Sequence, residues 1–239
     1  MESNLAMQHD QGVPMTVARL IEGIAERLGD KVAFLTEDDD VSMTFSEVDA
    51  RASSIAGGLR ELGVQQGDRV ALMAGSTPEF VATVIGTWKL GAILVALNAQ
   101  LGPEEILYQL DNSAPRVVVT DPGRSHEVVA EVLARASSEP RHVSTGQLEG
   151  EPQRALDLPG STDATIFYTS GTTGVPKGAT HTHNSLTVQI DAVRDWFGVT
   201  EDDVFMSVLP IYLLSILVLG PMSSLLAGAT CRLMPKYES

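Results

Sequence analysis

Basic side chains are scarce in this sequence of 239 residues. Sixteen Lys and Arg stand against 31 Asp and Glu, so the formal net charge is -15. The first 50 residues alone carry 11 acidic and 3 basic side chains. Neutralising a nucleic-acid backbone needs clustered Lys and Arg, and the sequence has no such cluster. The composition therefore argues against nucleic acid as a partner. A polyanionic ligand would have to be held by local dipoles, a cation or a metal.

Cysteine is almost absent, since Cys231 is the only one. A single cysteine cannot form an internal disulfide, which fits a reducing compartment. The first twelve residues, MESNLAMQHDQG, lack the apolar core of a secretory signal. We therefore expect a cytoplasmic protein.

A long stretch without charge covers residues 204–230. Its length would suffice for a membrane span, which needs about 20 mostly apolar residues. However, it contains Pro210, Gly220, Pro221 and Gly228, and no basic residue lies close to its start. The pattern favours a buried strand, helix and strand over insertion into a membrane.

Apolar runs alternate with helical patterns along most of the chain. The spacing predicts helices capped by Thr16 and Ser46, beginning at Pro78 and Pro103, over residues 124–136, and from Asn184 or Ser185. Strand patterns occur at 31–36, 41–45, 69–74, 92–97, 116–120 and 163–169. Such strands, nearly continuous in apolar residues, predict an α/β fold with a mainly parallel sheet flanked by helices on both faces.

Residues 137–162 interrupt this alternation, because they are rich in proline and glycine and show weak periodicity. We predict a linker or surface excursion there. It would separate an N-terminal tail, 1–15, and a first α/β portion, 16–136, from residues 163–239. That last portion contains a glycine-rich loop and begins the next α/β unit.

The glycine-rich loop reads YTSGTTGVPKG and covers residues 168–178. A loop that leaves a strand in this way can direct several backbone N–H groups at one anion, since glycine lets the backbone approach closely. The hydroxyl side chains add donors, and Lys177 supplies a point charge suited to phosphate. Pro176 restricts the backbone just before that lysine. The set suits a flexible triphosphate such as ATP.

This loop does not have the spacing of two common phosphate-binding motifs. A Walker A motif has its lysine between glycine and Ser or Thr, whereas Lys177 stands between Pro176 and Gly178. The dinucleotide fingerprint requires a different glycine spacing. For a generic Thr/Gly cluster, a mobile loop with an exposed lysine is the alternative, but the order of these eleven residues is far more specific.

The same eleven residues resemble the phosphate-binding signature of the AMP-forming adenylate enzymes. These include acyl-CoA synthetases, luciferases and the adenylation domains of peptide synthetases. The resemblance extends from about residue 16 to 239. MTFSEVDARASSIAGGLRELGVQQGDRVAL and PEFVATVIGTWKLGAILVALNAQLGPEEI are similar to the family's N-terminal region, with Asn98 at its usual asparagine. THTHNSL (180–186) and LPIYLLSILVLGPMSSLLAGAT resemble the segments that follow the loop.

The resemblance implies an AMP-forming acid–thiol ligase of the acyl-CoA synthetase type, as in fatty acid metabolism. A carboxylate would attack the α-phosphate of Mg-ATP to give an acyl-adenylate and pyrophosphate. A thiol, commonly that of coenzyme A, would then displace AMP. The loop would hold the β- and γ-phosphates and stabilise the charge on departing pyrophosphate. The implied ATP phosphate-binding residues are Thr169, Ser170, Gly171, Thr172, Thr173, Gly174 and Lys177.

Two features depart from the family pattern. In acyl-CoA synthetases the segment at 209–213 usually ends in a histidine near the acyl and nucleotide site, whereas this sequence has Leu213. The family's acidic metal ligand, ribose-binding aspartate, hinge and adenylation lysine cannot be located, so no catalytic residue is assigned. We therefore expect an incomplete N-terminal domain of the adenylate-forming fold, inactive without a C-terminal half.

That half would come from a longer chain or a complementing C-terminal polypeptide. The alternative is a truncated, non-catalytic nucleotide-binding relative or an interaction module. In either case the surface of 204–230, normally covered by later sequence, should be exposed and apolar and favour a partner or a dimer.

Other residues carry weaker signals. His181 and His183 are two residues apart and would share one face of a strand, but no third ligand stands at a recognisable spacing, and we predict no metal site. The acidic turn at 38–40 lacks the glycine and distal glutamate of a calcium-binding loop. Trp88 and Trp196 lie in helical patterns and are predicted to be packing residues.

Overall fold

Two β-sheets and the helices around them make up the structure, a computed structural model that describes residues 15–36, 42–169 and 175–234. The strands are β1 Val32–Leu35, β2 Ser42–Thr44, β3 Arg69–Met73, β4 Ile93–Ala96, β5 Val117–Thr120, β6 Arg141–Ser144, β7 Asp163–Thr169, β8 Lys177–Thr182, β9 Val204–Ser207 and β10 Thr230–Leu233. The helices are α1 Val17–Leu28, α2 Phe45–Glu61, α3 Pro78–Lys89, α4 Pro103–Ser113, α5 Arg124–Leu133, α6 His183–Phe197, α7 Leu214–Leu217 and α8 Ser223–Ala227.

The larger sheet has the strand order β6-β5-β3-β4-β7-β8. Its first five strands are parallel, and β8 pairs antiparallel with β7. Alternate residues of β3 enter two separate cores. Val70 and Leu72 belong to a core that includes residues of α1, α2 and α3, whereas Ala71 and Met73 pack with α4 and α5. Both faces of the sheet are therefore covered, and the predicted α/β class with a mainly parallel sheet is confirmed.

The smaller sheet has the order β2-β1-β10-β9 and joins the two ends of the described chain. Phe34 of β1 pairs with Cys231 of β10 in parallel. The uncharged run 204–230 forms β9, the helical segment 214–227 and the start of β10, as predicted. A π-helical turn at Val218–Met222 accommodates Pro221. Within the described ranges, no helix has the length and apolar character needed to cross a membrane.

Residues 137–162 contain a strand that the sequence analysis did not predict. Arg141–Ser144 forms β6 and pairs with β5 at the edge of the larger sheet. Its side chains are exposed or half-buried, so the strand has no apolar run that would reveal it. Strands from both sides of 137–162 belong to the same sheet.

The rest of this stretch packs closely on α2. A Cβ atom on Gly57 would lie 2.3 Å from the backbone oxygen of Glu151. The backbone N–H of Gln153 donates to the carbonyl of Ser53 at 3.0 Å. The glycine in α2 therefore serves a backbone-to-backbone contact with a segment about 90 residues later in the chain.

Two helix starts differ from the sequence-based expectation. Helix α2 is capped by Thr44 rather than Ser46, because Thr44 and Glu47 form a reciprocal capping box. Helix α6 begins at His183 and is capped by Thr182, before the predicted Asn184 or Ser185. In both cases an earlier threonine provides the cap.

The two tryptophans have different environments. Trp88 is buried, and its Nε1–H donates to the carbonyl of Ala164 at 2.8 Å. Trp196 is 85% exposed, so the prediction that it packs in the core is wrong. It lies near the C-terminal end of α6 on a face that no described element covers. The acidic turn at 38–40 lies outside the described residues.

The predicted apolar surface of 204–230 is limited to β9 and the segment after it. Val204, Met206 and Leu209 are exposed, whereas Leu217 and Leu225 in the helical segment are buried in the main core. The expectation of exposure was therefore correct for the strand and wrong for the helix. The helix is covered because it packs against α1 and α6.

Candidate active site

A crevice opens where β4 and β7 end. The connection after β4 leads to β5 on one side of the sheet, whereas the connection after β7 leads to β8 on the other side. Loops that leave neighbouring strands in opposite directions create a binding crevice at the carboxyl ends of a parallel sheet. A cavity of about 550 Å³ lies at this point. Its walls include Ala96, Asn98, Leu101, Glu105, Gln109, Phe167, Tyr168, Thr169, Pro176, Ala179, His181 and the segment 212–215.

The predicted phosphate loop connects β7 to β8 at this cavity. Ser170, Gly171, Thr172, Thr173 and Gly174 lie outside the described residues. The two remaining predicted residues are described: Thr169, the last residue of β7, pairs directly with Lys177, the first residue of β8. Both are exposed. The fold therefore brings together the two ends of the predicted loop.

Lys177 lies on the same strand face as two residues that line the cavity, Ala179 and His181. Directly paired residues in antiparallel strands have their side chains on the same face, and residues two apart in one strand share a face. Ala179 and His181 of β8 line the cavity and pair with Phe167 and Thr165 of β7. Lys177 follows the same alternation, so its side chain is on the face of Ala179 and His181.

Helix α4 contacts the β7–β8 hairpin through two tyrosine hydroxyls, that of Tyr108 in α4 and that of Tyr168 in β7. The Tyr108 hydroxyl donates to the carbonyl of Pro176 at 3.1 Å, next to Lys177. The Tyr168 hydroxyl donates to Oδ1 of Asn112 at 2.7 Å. Burial raises the pKa of Tyr168, so it remains a neutral donor. The sequence analysis did not identify Tyr108 or Asn112, because only the fold brings α4 to the hairpin.

Gly178 allows the hairpin to pack on this side. A Cβ atom at this position would lie 2.9 Å from Cγ2 of Ile166 and 3.4 Å from the ring of Tyr168. The Ile166 methyl group is attached to a branched β-carbon and has little freedom to move. The glycine after Lys177 therefore keeps the two strands and the Tyr168 ring in close contact.

The opposite wall of the cavity contains the main departure from the family pattern. Tyr212, Leu213, Leu214 and Ser215 line it. Leu213, where the resemblance leads one to expect a histidine, is 44% exposed. Asn98 lines the cavity after β4, and its Oδ1 accepts from the backbone N–H of Gln100 at 2.8 Å, which stabilises the turn.

The two histidines of the 180–186 segment do not share a face. His181 is in β8, whereas His183 is the first residue of α6. His183 is fully buried, its Nδ1 accepts from the backbone N–H of Val17 at 3.3 Å, and its ring contacts Trp88 edge-on. Burial lowers the pKa of His183 to about 4. His183 is therefore a structural residue, and of the two only His181 lines the cavity.

Carboxylates are sparse in the described part of the cavity wall. Glu105 is present, but its Oε2 accepts from the backbone N–H of Gly102 at 3.0 Å at the start of α4. Among the residues that the structure describes, no three His, Cys, Asp or Glu side chains are grouped to hold a metal ion. Of the seven predicted phosphate-binding residues, the structure describes two, Thr169 at the end of β7 and Lys177 at the start of β8.

Comparison with known protein sequences identifies relatives over most of the chain. The profile of a family described as AMP-binding enzyme matches residues 21–239. A 3-hydroxybenzoate–CoA/4-hydroxybenzoate–CoA ligase of Thauera aromatica is 32% identical over 196 residues, which cover 75% of this chain and 37% of that protein. A long-chain-fatty-acid–CoA ligase of Mycobacterium tuberculosis is 30% identical over 218 residues, which cover 87% of this chain and 42% of that protein. The chain thus spans about two fifths of the length of these curated relatives.

Solved structures give the same result for the fold. ATP-bound MatB from Rhodopseudomonas palustris superimposes with a TM-score of 0.82 at 28% identity, covering 92% of this chain and 46% of that one. A fatty acyl CoA synthetase of Mycobacterium tuberculosis superimposes with a TM-score of 0.80 at 27% identity, and the match covers 93% of this chain and 45% of that one.

Proposed function

This chain belongs to the AMP-binding enzyme family, and on that basis we propose that it is the N-terminal, ATP-binding part of an acyl-CoA synthetase. The observation that carries the proposal is the crevice between β4 and β7, with Thr169 in its wall and Lys177 on the same strand face as Ala179 and His181. The reaction would form an acyl-adenylate and then an acyl-CoA from a small carboxylic acid, ATP and coenzyme A.

In this proposal the loop binds the β- and γ-phosphates. Backbone N–H groups of the glycine-rich segment, together with the hydroxyls of Thr169, Ser170, Thr172 and Thr173, donate to phosphate oxygens. Gly171 and Gly174 allow the backbone to come close to the ligand. Lys177, at the end of the loop, adds a positive charge suited to phosphate.

The chemistry explains why such a loop is useful. A carboxylate oxygen forms a bond to the α-phosphorus of ATP, and the bond from that phosphorus to the bridging oxygen breaks. The electron pair leaves with pyrophosphate, and the donors of the loop stabilise this charge. The sulfur of coenzyme A then attacks the acyl carbon, loses its proton, and releases AMP. The loop contributes positioning and electrostatic stabilisation, not covalent chemistry.

Magnesium enters the proposal as the ion carried by ATP. The described residues do not fit a resident magnesium site, because Glu105, the carboxylate that lines this part of the cavity, is bound to the backbone of Gly102. Magnesium prefers carboxylate and phosphate oxygens. We therefore assign it to the phosphates of the substrate and derive no step from a protein-bound ion.

The role of Lys177 can be tested by ATP binding. In Lys177→Ala, we expect the affinity for Mg-ATP to fall by about 10- to 100-fold, since a charge-assisted hydrogen bond is worth about 1.5–3 kcal/mol. Isothermal titration calorimetry on the 239-residue chain measures this. Arg141→Ala, which removes an exposed cation on the distant β6, is the matched control. An unchanged affinity for Mg-ATP in Lys177→Ala would show that Lys177 does not bind the phosphates.

A non-catalytic nucleotide-binding relative is the second candidate function. The observation in its favour is Leu213, which puts an apolar side chain in the cavity wall where acyl-CoA synthetases are expected to have histidine. Such a protein would bind ATP without activating a carboxylate.

Exchange of labelled pyrophosphate into ATP distinguishes the two functions. We expect exchange to be absent with the 239 residues alone and to appear when the C-terminal part of an acyl-CoA synthetase is supplied as a second polypeptide. No exchange in either case, with ATP bound, would favour the non-catalytic relative. Exchange by the chain alone would contradict the need for a complementing part.

The same proposal extends to partners and location. We propose a cytoplasmic protein whose small substrates reach the crevice from solution. A complementing polypeptide or a second copy would cover the apolar edge of β9. The exposed side chains of Val204 and Met206 on this edge strand support such a contact.

A further inference from the structure

We infer that His181 supplies the imidazole of the cavity, in place of the histidine that acyl-CoA synthetases are expected to have at the position of Leu213. This inference rests on the proposed function and names a ligand-contacting residue for it. His181 and Leu213 line the same cavity from different parts of the fold, His181 from β8 and Leu213 from the segment before α7.

Burial and position distinguish His181 from the other histidines. It is half-buried, and it is the one histidine among the described residues that line the cavity. His183 is fully buried and contacts α1, while His126 of α5 and His142 of β6 stack on each other beside Thr120. Of the described histidines, His181 is thus the one with access to a ligand in the crevice.

Ser185 orients the His181 ring. The Ser185 hydroxyl donates to the carbonyl of Thr182 at 3.0 Å, so its proton is already committed. Its oxygen lies 3.5 Å from Nδ1 of His181 and can only accept from it. This favours a proton on Nδ1 and leaves Nε2 as the atom available to a ligand.

The alternation of β8 puts this imidazole in line with Lys177. They are four positions apart along the strand, a distance of about 13 Å between Cα atoms. Ala179, the residue between them on the same face, is small and leaves room for a ligand. Lys177 and His181 would therefore contact different groups of one ligand, the lysine at the terminal phosphates and the histidine at the reacting end.

The ligand group for His181 is an anionic oxygen. When protonated on both nitrogens, imidazole donates a charge-assisted hydrogen bond from Nε2 to such an oxygen. Two groups at the reacting end carry one, namely the α-phosphate and the carboxylate of the acid. AMP presents the first without the β- and γ-phosphates, and benzoate presents the second.

The test measures binding of AMP and of benzoate to the 239-residue chain by calorimetry. In His181→Leu, we expect the affinity for at least one probe to fall by about 10-fold or more. A loss confined to AMP assigns the α-phosphate, and a loss confined to benzoate assigns the carboxylate. In the double variant His181→Leu/Leu213→His, the affinity should return to within about threefold of the unmodified chain. His126→Gln, outside the cavity, is the control.

Ring signals of His181 in NMR spectra give a second readout that does not depend on the variant folding. They should shift on addition of the probe, whereas those of His183 should not. Unchanged affinity in His181→Leu, or unshifted His181 signals with probe bound, would overturn the inference. If ATP binding still depended on Lys177, the proposed function would stand. If the unmodified chain bound neither ATP nor either probe, the proposed function would fail and the inference with it.

Discussion

Replacing Lys89 by methionine should destabilise the fold by about 3–5 kcal/mol, the typical cost of removing one partner from a buried ion pair. Lys89 has no exposed surface, and its Nζ lies 2.8 Å from Oδ1 of Asp49 and 3.1 Å from Oε1 of Glu22. Methionine has a similar length but no charge. The substitution would therefore leave two carboxylates near an apolar side chain.

The environment of Glu22 explains why Lys89→Met should lower the free energy of unfolding by this much. Burial by itself raises the pKa of Glu22, but the charge of Lys89 and its hydrogen bonds outweigh this, and the net pKa is below the usual value. Without Lys89, Glu22 would be left 4% exposed, with three remaining partners: the backbone N–H of Ala155 at 3.3 Å, Nη1 of Arg19 at 2.6 Å and Nε of Arg154 at 3.5 Å. A buried carboxylate that loses a cation is costly.

Urea denaturation at pH 7 measures the effect as the change in the free energy of unfolding. Arg135→Met is the matched control, because the Arg135–Glu104 pair at 2.7 Å is exposed. Removing an exposed pair should change the stability by less than about 1 kcal/mol. A loss of less than 1 kcal/mol in Lys89→Met would show that the cluster of α1, α2 and α3 does not depend on this charge.

Acid should destabilise this protein through His183, by about 3 kcal/mol as the pH falls from about 6.5 to 4. Burial lowers the pKa of His183 to about 4 in the folded state from an ordinary value of 6.5. The unfolded chain therefore binds the proton more strongly. The stability that comes from the neutral ring is fully present above about pH 6.5 and is lost as the pH falls towards 4.

The structure explains why the ring must be neutral. Nδ1 accepts from the backbone N–H of Val17, the first residue of α1, and could not do so if it carried a proton. The ring packs edge-on against Trp88 at 5.7 Å between centroids. Protonation would thus place a charge in the core and remove a hydrogen bond to the start of a helix.

The variant His183→Gln separates this group from others that titrate. Burial, and secondarily the charge of His126, also lowers the pKa of His142, so the unmodified chain loses stability for more than one reason. The difference between the two pH profiles isolates His183, and it should shrink as the pH falls from 6.5 to 4. Parallel profiles for His183→Gln and the unmodified chain would contradict the prediction.

Much of the secondary structure could be predicted from the sequence because its signals are local. Thr16 caps α1, and Pro78 and Pro103 begin α3 and α4, as expected from their position before apolar repeats. The strand at 163–169 was predicted with the bounds that the structure has. Strands buried on both faces, such as β4 and β5, are recognisable because every residue is apolar or small.

The edge strands β6 and β8 were not predictable in this way. Their exposed side chains follow no apolar pattern, and their pairing with β5 and β7 depends on neighbours elsewhere in the chain. The candidate site was predicted at its loop, from the order of residues around Lys177. The wall around Leu213 was expected near the site only through the family resemblance, and the wall from α4 was not expected at all, because α4 reaches the crevice only after the sheet has formed.

The sequence by itself determined the fold class, most helices and strands, and the chemical character of the loop, since these depend on residues close together along the chain. The tertiary structure decided which polar side chains are buried and which are available. Trp196 and Trp88 are the same residue type in similar helical patterns, yet one is exposed and the other is in the core. Histidines two residues apart have opposite roles because a strand ends and a helix begins between them. Burial depends on contacts between distant segments, and no local pattern encodes those contacts.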